Sequence, residues 1–142
     1  MFRNIFNTTK TVIYIDSKNE VKEIINEDEL LSKYDITPLD SFKKKYKIIE
    51  NENSDNYLYY FKFIFKNKTY FKVGITSTSL KKRYGKEHEK INEILYCKKI
   101  DACIKTEKKI LNEFKDDLFP LKYFNSGYSE VFDKDVLQLD KN

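Results

Sequence analysis

Backbone breakers are scarce in this chain: 142 residues include three glycines and two prolines, and there is no tryptophan. Such a composition excludes a collagen-like or low-complexity disordered polymer. No apolar run approaches the roughly 20 residues that a helix needs to cross a bilayer, so a membrane span is excluded. Met1 to Lys10 lack the apolar stretch of a secretory signal. The two cysteines, Cys97 and Cys103, have no neighbouring His or Cys at metal-ligand spacing. They read as reduced thiols of a cytoplasmic protein, two small half-buried apolar residues.

What is present is aromatic and basic. With 11 Tyr and 11 Phe, and 40% of residues hydrophobic, there is enough material for one compact domain plus an appendage. The net charge of +4 is unevenly spread. Between Tyr57 and Lys115 there are 15 Lys or Arg against 6 Asp or Glu, whereas the remainder holds 12 basic and 17 acidic residues. Clustered cations gain affinity for polyanions by displacing counterions from phosphates, so the central segment is the expected contact for one. Abundant Lys alone could reflect coding bias, but bias does not explain the segregation.

Residues 1 to about 50 read as a separate short α/β extension without evident chemistry. Thr11–Asp16 is a short β-forming run. Asn26–Tyr34 opens with a capping residue and an acidic first turn, which predicts a helix. Thr37 and Pro38 start a second helix, with Leu39, Phe42, Tyr46 and Ile49 spaced to share a face. Asn51–Asn56 contains no apolar residue and reads as a loop or linker.

From Tyr57 the pattern changes. Tyr57–Phe65 and Thr69–Ile75 are strongly β-forming, and Asn67 tolerates the positive φ of a tight hairpin. A turn at Asn67–Lys68 would set Phe63 opposite Lys72. Tyr59, Phe61 and Lys72 then share one face, with Leu58, Ile64, Phe71, Val73 and Ile75 on the other. Both faces are mostly apolar, so both need cover. Thr76–Ser79 offers caps for a short basic helix, Leu80–Tyr84, ending near Gly85. Ile91–Ile100 reads as a third strand. Asp101 caps a longer helix to about Asp117, with Cys103, Ile104, Ile110, Leu111 and Phe114 as its apolar stripe. Phe124–Phe132 passes through Asn125, Ser126 and Gly127 and returns to a short strand-like run at Glu130–Phe132, and residues 133–142 form a tail.

Glu107 is the informative oddity. It lies four residues after Cys103 and three before Ile110, so helical spacing puts a carboxylate within the buried stripe. An unpaired buried carboxylate costs several kcal/mol, so a cation should meet it. A metal ion would serve, and so would Lys72 or Arg83 in a structural pair. Arg83 is the one arginine of the central segment, and its planar guanidinium suits bidentate phosphate contact. Beside it, Lys81 and Lys82 extend the basic helix face. His88, the chain's single histidine, is a weaker candidate for a proton acceptor or nucleic-acid contact; a lone His among Lys and Glu is more often simply solvated.

Taken together, these residues resemble the GIY-YIG nuclease superfamily, and within it the phage-associated branch whose second motif carries Lys. Tyr57-Leu58-Tyr59 is similar to the first motif, and Lys72-Val73-Gly74-Ile75-Thr76 to the second. Arg83 occupies the place of the family's helix Arg, and Glu107 that of its metal-binding Glu. Gly127-Tyr-Ser-Glu130-Val-Phe132 resembles the branch's closing motif. The resemblance implies an α+β fold with a three-stranded antiparallel sheet flanked by helices over residues 57–132. It implies hydrolysis of DNA with Mg²⁺ or Mn²⁺. Glu107 would hold the metal, Arg83 would clamp a non-bridging oxygen, and Tyr59 would take a proton from water with Lys72 as its neighbouring cation. Tyr57 stands where the family has Gly, Lys72 where most members have Tyr, and the family's terminal Asn has no counterpart in register. A catalytically silent DNA- or protein-binding module of the same fold is the alternative, and a plain interaction protein a third. No recognised major-groove module, zinc finger or repeat is present, so sequence specificity would come from residues 1 to 50 or be absent.

Overall fold

A computed structural model describes residues 11–15, 21–26, 37–125 and 131–141. The chain divides into two compact units, Met1–Ser41 and Phe42–Asn142. In the first, β1 (Thr11–Ile15) pairs antiparallel with β2 (Val21–Asn26), with a register shift at Tyr14/Ile15. The β-forming run expected from Thr11 is β1, but β2 was not anticipated. Its β-branched Val21, Ile24 and Ile25 are interleaved with Lys22 and Glu23, which hides the strand signal. Of the helix expected over Asn26–Tyr34, Asn26 instead ends β2, and the rest lies outside the described residues.

Helix α1 (Pro38–Lys45) starts as its sequence predicts. Thr37 Oγ1 accepts from the Asp40 N–H at 3.1 Å, and the Asp40 carboxylate accepts from the Thr37 N–H at 3.3 Å. This reciprocal cap satisfies two donors at the helix start, and Pro38 at the first position has no N–H to satisfy. Phe42 and Tyr46 are buried, whereas Ile49 is 62% exposed. The helix ends at Lys45 and Lys47 turns to φ 53°, so Ile49 leaves the helical face.

The second unit is built on an antiparallel sheet of four strands, in the order β5-β3-β4-β6. β3 (Tyr57–Phe65) and β4 (Lys68–Thr76) form the hairpin. β5 (Glu93–Lys99) lies against β3, and the two-residue β6 (Val131–Phe132) against β4. The α+β class and flanking helices are as expected, with four strands rather than three. The fourth strand falls on the strand-like run expected at residues 130–132, where Val131 and Phe132 pair with Lys72 and Phe71.

The hairpin turn is Lys66–Asn67, both at positive φ (51° and 65°), the signature of a two-residue primed turn. Phe65 therefore pairs with Lys68 and Phe61 with Lys72. The expected turn one residue later would have set Phe63 opposite Lys72. The correction moves the register by two, which keeps every side chain on its expected face.

Both faces are covered. On one, Tyr59, Phe61, Phe63 and Tyr70 pack with Leu80, Tyr84, Phe124 and Val131. Here helix α2 (Leu80–Tyr84) and the segment Phe119–Phe124 provide the cover. On the other, Tyr60 stacks on Phe71, and Tyr96 meets Phe42 edge-on at 5.4 Å. Helix α3 (Cys103–Glu113) belongs to that layer, since Phe114 at its end meets Phe132 edge-on. Cys97 stands opposite Tyr59 on the first face, while Cys103 is buried on α3, so the two free thiols occupy different layers.

Residues after Phe132 do not trail away. Leu137 and Leu139 are buried, and Asp135 accepts hydrogen bonds from the Tyr60 hydroxyl at 2.7 Å and the Asp140 N–H at 2.7 Å. Asp140 in turn accepts from Lys62 at 3.0 Å. Among the described residues no helix is long and apolar enough to cross a membrane.

Candidate active site

The short helix α2 sorts its residues by their chemistry. Ser79 Oγ caps it by accepting from the Lys82 N–H at 3.2 Å, and Gly85 ends it at φ 57°. Leu80 and Tyr84, four residues apart, both point inward and are buried. Lys81, Lys82 and Arg83 are exposed. The Arg83 guanidinium carbon lies 5.9 Å from the centre of the Tyr84 ring. The helix thus turns three cations to solvent and a phenol to the core.

That phenol meets Tyr59. The two hydroxyl oxygens are 2.7 Å apart and the rings stand nearly perpendicular, 82°, with centroids 6.0 Å apart. Tyr59 itself is 2% exposed and stacks on Phe61 at 5.6 Å. Gly74, opposite Tyr59 on β4, makes this possible. A Cβ at Gly74 would meet Tyr59 Cζ at 2.5 Å and overlap its hydroxyl. The Gly of the Lys72-Val73-Gly74 run is therefore required by close approach of a ring, at an ordinary strand conformation.

Lys72 shares this face, two residues before Gly74 and opposite Phe61 and Val131. At 1% exposure it is among the most buried side chains of the unit. Diagonal neighbours on one face of an antiparallel pair lie within reach of long side chains, which makes Lys72 a neighbour of Tyr59 as the sequence predicts.

Glu107 rides on α3, in the layer on the other side of the sheet from α2. The buried members of its stripe are Cys103, Thr106 and Ile110. Ile104, expected in the stripe, is 51% exposed. Glu107 is half-buried at the flank of that stripe. Burial, and secondarily the Glu107 charge, push the Cys103 thiol up to about 11, so Cys103 stays protonated and poorly nucleophilic at neutral pH. Among the described residues no group of three or more His, Cys, Asp or Glu gathers into a metal site. One carboxylate can supply an oxygen ligand to a hard cation such as Mg²⁺, which commonly keeps several waters.

His88 lies half-buried in the 3₁₀ turn Gly85–Lys90, where its carbonyl accepts from the Ile91 N–H at 3.1 Å. Its neighbours fasten this turn. Glu87 accepts from Lys90 at 2.9 Å and from the Asn125 N–H at 3.1 Å, and the Lys90 bond leads in holding the Glu87 carboxyl below its usual range. Lys90 also donates to the Tyr123 carbonyl at 2.7 Å. These bonds tie the turn to the aromatic segment beneath Tyr59's face. Residues 126–130, with the Gly127 and Glu130 of the expected closing motif, lie outside the described residues. A concavity of this unit lies elsewhere, between residues 54–56 and α3; Lys105, Lys108 and Lys109 line it together with Asp55 and Asp101.

The arrangement brings Tyr59, Lys72 and Gly74 together on one face and sets Tyr84 and the Arg83 helix over it. Tyr84 is the participant that inspection of the sequence passed over. Its signal was the spacing from Leu80, which marks it as inward-facing. No protein-family model, curated protein or solved structure matches this chain.

Proposed function

We propose that this protein is a metal-dependent DNA endonuclease that hydrolyses phosphodiester bonds, with Tyr59, Lys72, Arg83 and Glu107 as its working residues. The observation that carries the reading is the buried phenol of Tyr59, set beneath a helix that exposes Lys81, Lys82 and Arg83. A nuclease needs a proton acceptor next to a cationic phosphate clamp, and this face offers both residue types within one short stretch of structure. Arg83, with its fixed fork of donors, would hold a non-bridging phosphate oxygen. Lys81, Lys82 and His88 would bear on the flanking phosphates. Tyr59 would accept a proton from the attacking water, and its phenolate form would be favoured by the neighbouring ammonium of Lys72. Glu107, in the layer on the other side of the sheet from α2, would hold one Mg²⁺ or Mn²⁺ ion, which when bound supplies charge neutralisation to the DNA backbone.

The test is cleavage of plasmid DNA by the full chain with Mg²⁺ or Mn²⁺, against EDTA and against Glu107→Ala. The expected result is metal-dependent nicking that falls more than about a hundredfold in the variant, the scale of losing one transition-state charge stabiliser. A folded wild-type protein that cuts no DNA offered sinks this reading.

A non-cutting DNA-binding module is the second reading, favoured by the burial of Tyr59 and Lys72, at 2% and 1% exposure. Such a protein would bind DNA with an affinity falling steeply as salt rises, by a logarithmic slope of about −0.9 per phosphate contacted. It would show no dependence on Glu107.

A further inference from the structure

The Tyr59–Tyr84 pair is a feature of this chain's own geometry, and we propose that Tyr84 is a positioning residue that sets the hydrogen-bond polarity of the Tyr59 hydroxyl. The inference rests on the reading of Tyr59 as the proton acceptor. Two buried hydroxyls 2.7 Å apart share one hydrogen bond, and one of them must donate. When Tyr59 gives up its proton, the donor is fixed: only Tyr84 still has one. Tyr84 then donates to a phenolate, and a bond to the charged form favours that form. The Tyr84 hydroxyl thus favours the state of Tyr59 that can accept a proton from water, and it orients the oxygen that does so.

Three constraints hold the pair. Leu80 and Tyr84 anchor α2 in the aromatic cluster. The Tyr84 ring stands edge-on to Phe61 at 5.6 Å and to Phe124 at 5.2 Å, which limits its rotation. Gly74 lets the Tyr59 ring lie against β4. Among the described elements, Lys72 shares Tyr59's face from β4, Cys97 stands opposite it on β5, and Tyr84 meets its hydroxyl from α2, with Arg83 lying against the Tyr84 ring. Cys97 is held protonated, because burial pushes its thiol up. Lys72 and Arg83 remain in any Tyr84 variant, so the effect of the hydroxyl alone is separable.

The experiment is Tyr84→Phe in the full chain, which keeps the ring and removes the oxygen. Cleavage should fall about tenfold at neutral pH with KM unchanged, and the deficit should shrink as pH rises, because a bond to a charged group is worth about one pH unit of ionisation. A merely structural role would lower activity equally at every pH. Independently of cleavage, the ¹³Cζ resonance of Tyr59, assigned with Tyr59→Phe, should titrate about one unit higher in Y84F than in wild type. An unchanged Tyr59 titration in folded Y84F overturns the proposal. A shifted titration in a protein that never cuts DNA keeps the hydroxyl coupling and sinks the nuclease reading instead. If Y84F does not fold, Y59F reads the same bond from the other side: the Tyr84 resonance moves if the pair is coupled and stays if it is not.

Discussion

The two faces of the sheet use tyrosine differently. On the α3 side, buried or half-buried phenols donate to carboxylates: Tyr60 to Asp135, Tyr96 to Glu50 and Tyr46 to Glu113, at 2.7 to 2.8 Å. Burial first, and then the adjoining carboxylate, push all three phenols well above the ordinary tyrosine range. They are permanent donors: Tyr60 and Tyr96 tie peripheral segments to the sheet, and Tyr46 ties the end of α1 to α3. On the α2 side, Tyr59 meets another hydroxyl beside a helix of exposed cations. One residue type serves as a clasp on one face and as a candidate proton acceptor on the other, and the difference lies in the partner's charge.

The sharpest way to break that contrast is Gly74→Ala. The new methyl would collide with Tyr59, whose ring is boxed in by Phe61 and Tyr84 and has no free direction to move. Overpacking of this kind costs about 1–3 kcal/mol. In urea unfolding the midpoint should drop accordingly, and cleavage should fall further than stability alone explains. Activity that survives Gly74→Ala unchanged would remove Tyr59 from the site.

Tyr60→Phe tests the other face. Asp135 keeps its bonds from the Leu139 and Asp140 N–H groups but loses the phenol, so about 1 kcal/mol of stability should go while cleavage per folded molecule stays constant. A large activity loss would mean that the faces are not functionally distinct.

The smallest effect is acid sensitivity. The Tyr96 bond, and then Lys43, hold the Glu50 carboxyl below its ordinary value of 4.5. For Glu113, burial works upward but the bonds from Lys45 and Tyr46 outweigh it, and the carboxyl is again lowered. A carboxyl depressed in the folded state contributes stability that is present above the unfolded value and lost as pH falls through the folded one. Thermal midpoints should therefore be flat near neutrality and decline below about pH 4.5, and Glu113→Gln should blunt that decline.

Much of this was legible along the chain. The hairpin, α2 with its Ser79 cap and Gly85 stop, and β5 follow from residue periodicity and capping chemistry, which are local; α3 follows from periodicity alone, since Ala102 rather than the expected Asp101 stands at its cap and Asp101 accepts from Asn51 and Ser54 instead. The faces of β3 and β4 were legible too, because a two-residue register slip preserves them. Neighbouring segments were harder to assign. Residues 42–50 belong to the compact unit because Phe42 meets Tyr96 and Tyr46 bonds to Glu113, and residues 133–141 pack back onto β3 through Tyr60 and Lys62. Each of these partners is at least 50 residues away in sequence, beyond any local pattern.

The candidate site divides the same way. The sequence singled out Glu107 as a carboxylate in an apolar stripe and Arg83 as the one arginine of the central segment; the resemblance added Tyr59 and Lys72, and strand alternation determined that these two share a face. Tertiary structure decided that Gly74 is the floor on which the Tyr59 ring lies, that the Tyr84 hydroxyl meets its own, and that α3 packs on the opposite layer from α2. Those outcomes depend on which distant surfaces bury one another, and that choice is made by packing, not by the order of neighbours along the chain.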